Sequence, residues 1–349
     1  MTTWLPMKRM KFFTLVIGFL ISEIGLTQQH LRVGGAVNLF GRFGYLSISM
    51  RVVPRNDSDG KWVFREPMLD VFKSLPTTKR VIDNSENTVF HGDFYMEFCD
   101  DVQQLLQAYF REFSIERLDE PWRAFTGSWS DVTLARNLGL NVSYVGSGHC
   151  YVLLRLSRHR DSAYLPEHFD LSTVTLQDSV AAQAARLKVG NVPSVRDFVK
   201  NFGSHYVSSY VTGNSLYQVL VYTPAVYSEL KEKLQNAGLS ALESKEIIDF
   251  FSPQNAEHFG LVLAASGNST LAQWAQSSLS GTSYFIKYSS LLKLRGNIKL
   301  LKELDSLLGN EALLQLSLRT LAPVFKDKYK SDWFVEVVDN HLKLWELNM

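Results

Sequence analysis

Three observations predict an α+β fold organised around one long, bent strand. Val195, Phe198, Val199 and Phe202 recur at i, i+3, i+4 and i+7, the single apolar stripe of a short helix. The period then changes to two just after Gly203. Tyr206, Ser208, Tyr210 and Thr212 share one face of an extended chain, and His205, Val207, Ser209 and Val211 share the other. Elsewhere, β-rich residues 28–85 and alternating residues 142–156 stand beside helical spacing at 94–113 and 298–321.

The central segment reads as follows. Ser194 is a good helix N-cap, and Asp197 three residues on completes a capping-box pattern. Gly203 falls where a helix stops in left-handed backbone that glycine enters freely. Gly213-Asn214 interrupts the alternation before Leu216, Leu220 and Tyr222. At roughly 3.3 Å per residue an unbroken strand over 205–223 would reach about 60 Å, against a usual ~20 Å. So the strand bends at Gly213, through a bulge or a close backbone approach, or it is two strands joined by a turn there.

A composition of 46% hydrophobic and 20% charged residues is that of a folded globular protein able to bury a large core. The 36 basic and 35 acidic residues leave a net charge of +1, which argues against a nucleic-acid partner. At the N-terminus, Lys8, Arg9 and Lys11 precede ten uncharged, mostly apolar residues (12–21), and Gly25-Leu26-Thr27 offers small residues for cleavage. Residues 1–27 therefore read as a secretory signal, too short for the roughly 20 apolar residues of a spanning helix, with an uncleaved anchor as the alternative. A soluble mature chain is expected. Its removal takes away Lys8, Arg9, Lys11 and Glu23, and the net charge falls from +1 to −1.

Three glycosylation sequons fit export: Asn56-Asp57-Ser58, Asn141-Val142-Ser143 and Asn268-Ser269-Thr270. Asn56 lies in a polar, turn-rich stretch, Asn268 in a similar loop, and Asn141 ahead of an apparent strand that would shield it. The chain has two cysteines, Cys99 and Cys150. In an oxidising compartment the pair is expected to form one disulfide closing a loop of about 50 residues, worth on the order of 4 kcal/mol. Two buried free thiols are the alternative. Either way, a thiolate-rich zinc site is excluded.

The glycines of residues 28–85 lack dinucleotide-binding spacing, so that stretch reads as an extra β-rich segment. In 94–113, Phe98, Val102, Leu105, Leu106 and Tyr109 fall on one helical side, while 142–156 reads as the first core strand. Residues 298–321 read as an amphipathic helix broken near Gly309, followed by an aromatic tail from Trp333 to Trp345 that packs as core. Serine-nucleophile, zincin, Walker and dinucleotide motifs are all missing, and His149, His159 and His168 lack ligand spacing. Ser204 and His205, neighbours on a strand, should point to opposite faces and form no nucleophile–base pair. No enzyme activity, cofactor or metal is expected.

Phe202-Gly203-Ser204-His205-Tyr206, six residues, then Gly213-Asn214 resembles the signature of the membrane-attack-complex/perforin (MACPF) family. That signature is an aromatic, Gly, Ser or Thr, His, an aromatic, six residues, then Gly-Gly. Asn214 departs from the second glycine, although Asn tolerates left-handed backbone next best. Trp274 with Ser277, and then residues 282–294, are similar to the family's closing strand and helix, so the likeness covers about 90–310.

The resemblance implies a bent, twisted antiparallel sheet flanked by two helical clusters, at 158–192 and 224–280. It also implies a domain layout of signal peptide 1–27, N-terminal β-rich segment 28–88, MACPF domain 89–312 and C-terminal extension 313–349. In lytic members the clusters refold into pore-lining hairpins, which requires alternating strands of about ten residues without proline. Here the first cluster opens on Arg158-His159-Arg160-Asp161, holds Pro166 and is followed at once by Pro193. The second opens on the charged run Glu229-Leu230-Lys231-Glu232-Lys233, with Tyr227, Leu230 and Leu234 on one helix face. Lysis is therefore disfavoured. The likeness is greater to a secreted, developmental branch of the family. That branch implies partners outside the cell (the ligand Trunk, the receptor tyrosine kinase Torso, eggshell components, a membrane surface) and placement at the eggshell or cell surface.

Overall fold

The computed structural model describes residues 31–40, 68–81, 90–126, 130–146, 148–166, 169–237, 249–283, 286–308 and 311–348. The predicted signal at 1–27, the Asn56 sequon, His168 and Gly309 lie outside the described residues. In chain order the first elements are β1 (Gly35–Val37), β2 (Leu69–Asp70), β3 (Thr78–Val81), β4 (Asp93–Cys99), α1 (Val102–Tyr109), β5 (Phe113–Ile115), α2 (Pro121–Thr126) and α3 (Asp131–Leu138). The middle is β6 (Cys150–Tyr164), α4 (Asp178–Arg186), α5 (Val192–Phe202), β7 (His205–Tyr222) and α6 (Pro224–Ala237). Then come β8 (His258–Phe259), β9 (Leu263–Ala264), α7 (Ser269–Ser278), β10 (Ser280–Ser283), β11 (Ile286–Ser289), α8 (Ile298–Leu307), β12 (Ala312–Thr320) and α9 (Lys328–Asn348).

β7 is one continuous strand of 18 residues, and the ten-stranded sheet is built on it. One edge of β7 is covered by β6, paired from Cys150↔Tyr222 to Tyr164↔Ser209, and then by β1, paired at Ala36↔Tyr206 and Val37↔His205. The other edge is covered by β12 from Thr320↔His205 to Ala312↔Gly213, and beyond Gly213 by β9 and β8. β3 and β4 line the outer edge of β6, and these pairings are all antiparallel. Among the described strands the β12–β5 pair runs parallel. The ladder shifts register on both flanks at the level of Gly213. Arg160 is the extra residue between His159↔Gly213 and Asp161↔Thr212, and the second shift falls between Leu313 and Gln315. Paired bulges of this kind bend a sheet and increase its twist. The α+β architecture with a bent antiparallel sheet is the predicted one.

The bend divides the packing. Below it, Tyr206 and Val207 join a core closed by Val195, Phe198 and Val199 of α5, Val180 of α4, and Phe334, Val338 and Leu342 of α9. Above it the sheet is covered on both faces, and the strands alternate accordingly. Leu216, Leu220, Val152 and Leu154 face α6, α7 and α8. Tyr217, Val219, Val221, Tyr151 and Leu153 face α1 and α3. Helices therefore flank the sheet as expected. However, Arg158–Tyr164 of the first proposed cluster belongs to β6, and α4 is the principal helix between 165 and 191.

Several local expectations are corrected. Residues 93–99 form β4, so the helix begins only at Val102, where the Asp101 side chain accepts from Gln104 N. Residues 142–144 form a short 3-10 turn capped by Asn141, and the core strand starts at Cys150. α5 is capped by Asn191, whose Oδ1 accepts from Ser194 N (3.0 Å), with Pro193 in its first turn. Residues 312–320 form a strand, because leucine-rich sequence suits either period and β7 offers an edge there. That strand and α9 make the described residues of the proposed C-terminal extension part of the core, and β1 and β3 likewise join the main sheet. The boundaries proposed at 88 and 312 thus cut through one sheet.

Candidate functional site

The signature residues occupy two structural irregularities of β7, one at its start and one at its bend. At the start, Phe202 closes α5 against Phe198, with ring centroids 5.3 Å apart. Gly203 then takes φ 87° and ψ 174°, a combination open essentially to glycine and not the left-handed helical one expected. A Cβ there would lie 2.6 Å from Val37 O, so the position needs glycine for space as well. The close approach lets Ser204 N donate to Val37 O (2.9 Å) and Leu39 N donate to Ser204 Oγ (3.2 Å).

Ser204 and His205 do touch, contrary to expectation: His205 Nδ1 lies 3.0 Å from Ser204 Oγ. Ser204 precedes the strand, on the unusual backbone set by Gly203, so the opposite-face rule does not apply to it. His205 Nε2 lies 3.2 Å from Glu116 O, which can only accept. The proton therefore sits on Nε2, and Nδ1 accepts from Ser204 Oγ. Both residues are fully buried, and burial pushes the His205 pKa down to about 4. This neutral imidazole ties β5 to β7 and reaches no solvent, so it acts as a lock on the corner. Glu116 continues the knot, accepting from Thr320 N (2.7 Å) with its carboxylate, while Leu321 N donates to Ser204 O (2.9 Å). Tyr206 packs edge-on to Phe72 at 5.6 Å, and burial raises its hydroxyl to about 12.

At the bend, Gly213 has ordinary extended backbone but no room: a Cβ would lie 2.0 Å from Arg158 O and 3.0 Å from Leu314 Cδ1. Asn214 does not adopt left-handed backbone, since Arg117 is the one non-glycine residue with positive φ among the described residues. Its Oδ1 instead accepts from Arg158 Nη2 (3.1 Å), and Arg158 Nη1 donates to Asp305 Oδ1 of α8 (2.6 Å). Higher on β7, the buried Gln218 donates through Nε2 to Gly260 O (2.8 Å) and Ser289 O (2.7 Å). Its Oε1 accepts from Leu291 N (2.8 Å). Sequence reasoning missed Glu116, Arg158, Asp305 and Gln218. The available signal was a lone polar residue inside an apolar run, as Gln218 is between Tyr217 and Val219.

Cys99 and Cys150 are separate buried thiols, which corrects the expected disulfide. Cys99 pairs across the ladder with Tyr151 and shares its face, whereas Cys150, one residue earlier, points into the opposite core. Burial, aided by nearby Glu97 and Asp100, pushes the Cys99 thiol up to about 12, and burial also raises Cys150. Asn141 is exposed, not shielded, and Asn268 caps α7 by accepting from Thr270 N (2.9 Å). Among the described residues no cluster of metal-ligating side chains occurs, and no helix is long and apolar enough to cross a membrane.

Fold and site together define an α+β protein whose bent antiparallel sheet turns on two glycines of one strand. No protein-family model and no curated protein sequence matches the chain. Among solved structures it is similar to GNIP1Aa from Chromobacterium piscinae, at 10% identity and TM-score 0.44, covering 89% of this chain and 55% of that one. It is similar too to a cell invasion protein with a MAC/Perforin domain from Bacteroides thetaiotaomicron, at 10% identity and TM-score 0.38, covering 88% and 59%. Vertebrate astrotactin-2, described as a perforin-like membrane protein involved in neuronal development, aligns at 13% identity and TM-score 0.33, covering 90% and 94%. The chain spans just over half the length of the two bacterial chains. With every TM-score below 0.5, these likenesses do not by themselves assign a family.

Proposed function

We propose that the protein is a secreted, non-enzymatic factor of the MACPF type that works through contacts with extracellular proteins or a membrane surface. The observation that carries this reading is the placement of the signature. Phe202 to Tyr206 form the helix-to-strand corner, and Gly213 sits where the longest strand is flanked by bulges on both sides. Within the superfamily we take the sequence pattern to resemble that of Torso-like, the secreted insect protein. On that resemblance the chain promotes local activation of the receptor Torso by its ligand Trunk in embryonic terminal patterning. The buried, neutral state of His205 fits a structural role for the signature.

A membrane-inserting effector, the alternative that the family resemblance carries, is the second reading. Against insertion, α6 carries a Lys233–Glu229 ion pair (3.3 Å) on its outer side and buries Tyr227, Leu230 and Leu234 in the core. Purified protein is applied to dye-loaded liposomes and, in parallel, to cells expressing Torso with Trunk. Receptor phosphorylation without dye release is the expected result. Robust dye release overturns the proposal in favour of the effector, and failure of both assays removes the Torso-like assignment.

A further inference from the structure

Two glycosylation sequons fall within the described residues, Asn141-Val142-Ser143 and Asn268-Ser269-Thr270, and the fold presents them differently. Asn141 opens the short 3-10 turn Val142–Tyr144 that follows α3. Its Oδ1 accepts from both Ser143 N (3.1 Å) and Ser143 Oγ (3.1 Å), the local turn that asparagine favours. Those bonds fix the amide through its oxygen and leave Nδ2 without a partner among the described residues.

The turn is anchored from its far end. Val145 is buried, the Tyr144 ring stacks on His258 with centroids 4.6 Å apart, and Tyr151 donates its hydroxyl to Tyr144 O (2.9 Å). Asn141, Val142 and Ser143 are all exposed on that fixed turn. Asn268 is only half-exposed, two residues after the buried Ser266 and three before the buried Leu271. Its Oδ1 caps α7 through Thr270 N (2.9 Å) and Leu271 N (3.4 Å). A branched oligosaccharide has less room there.

We propose that Asn141 carries an N-linked glycan in the exported protein, an inference that rests on the secreted reading above. The donor is an oligosaccharide carried on a lipid pyrophosphate in the secretory pathway. A bond forms from Asn141 Nδ2 to C1 of the first sugar, and the C1–O bond to the pyrophosphate breaks. Nδ2 gives up one proton, and the lipid pyrophosphate is the leaving group. Ser143 supplies the hydroxyl that the acceptor triplet requires. The glycan also screens apolar surface. Val142 is exposed beside it, and exposed Leu261 lies against the same chain segment. Leu261 N donates to Gly139 O (2.7 Å), and a Cβ on Gly139 would stand 3.2 Å from Leu261 Cβ.

Two versions of the full chain are expressed in secreting eukaryotic cells, one with its own N-terminus and one with a proven secretory leader in place of residues 1–27. Protein is recovered from cells and medium together, because the transfer precedes release. Peptides are treated with an N-glycan amidase in heavy-oxygen water, which converts each modified asparagine to a labelled aspartate. Label on most copies of the Asn141 peptide in both versions is the expected result. Ser143→Ala abolishes that label, and Ser143→Thr, which keeps the hydroxyl, retains it. Label in the leader-bearing version alone overturns the secreted reading and leaves the site standing. An unlabelled Asn141 peptide in the leader-bearing version overturns the proposal, whether or not Asn268 is labelled. Label that survives Ser143→Ala reports deamidation in place of a glycan and overturns it as well.

Discussion

Replacing Gly203 with alanine tests the corner most directly, because the position combines two independent constraints. Its φ of 87° with ψ of 174° belongs to a region that L-residues avoid at a cost of about 1–3 kcal/mol. The new Cβ would also stand 2.6 Å from Val37 O and 2.8 Å from Val37 C, distances that backbone atoms cannot keep. Relief requires β1 to move away from β7. That weakens the bonds from Ser204 N to Val37 O and from Leu39 N to Ser204 Oγ, worth roughly 0.5–1.5 kcal/mol each. The sum is a destabilisation of about 2–6 kcal/mol. Denaturant unfolding of the purified protein measures it as a lower midpoint with an unchanged slope. Gly213→Ala is the informative comparison, since it meets Arg158 O at 2.0 Å with no φ penalty, and overpacking alone costs about 1–3 kcal/mol. If Gly203→Ala falls within about 0.5 kcal/mol of the parent, the corner does not depend on glycine and the reasoning fails.

Three further outcomes are expected. His205 titrates at about 4 when folded against 6.5 in a free chain, so the unfolded state binds the extra proton between those values. Its contribution, on the order of 3 kcal/mol, is therefore present above pH 6.5 and lost as the pH falls towards 4. His205→Gln should flatten that part of the stability–pH curve, and an unaltered slope would show that the imidazole is not the group responsible. Gln218→Leu strands Gly260 O, Ser289 O and the amide of Leu291, for about 3 kcal/mol or more at ~1–3 kcal/mol per buried orphan. Hydrogen exchange should rise selectively at Leu291 and across β10–β11, and uniform behaviour there would argue against the clamp. Finally, the unreduced, denatured protein should react with two equivalents of a thiol reagent, because Cys99 and Cys150 lie on opposite faces of the sheet. Recovery of a Cys99–Cys150 disulfide peptide would contradict that placement.

Local pattern was enough wherever the neighbours in sequence also decide the structure. The stripe Val195, Phe198, Val199 and the stop at Gly203 define α5, and Tyr227, Leu230 and Leu234 define the buried face of α6. The two-residue period after Gly203 marks β7, and Gly213 marks its irregularity, because both follow from backbone sterics acting over a few residues. What the chain pattern left open was decided by contacts between distant segments. ALLQLSLRT at 312–320 has leucines for either period and became a strand because the edge of β7 required a partner. Whether β7 was one strand or two depended on β6 running unbroken beside Gly213. Register placed Cys99 and Cys150 back to back, and the backbone of Gly203 turned Ser204 toward His205, neither of which spacing along the chain can express. Arg158 acquired its meaning only when Asn214 and Asp305, 56 and 147 residues away, were brought to its guanidinium by the closing of the sheet.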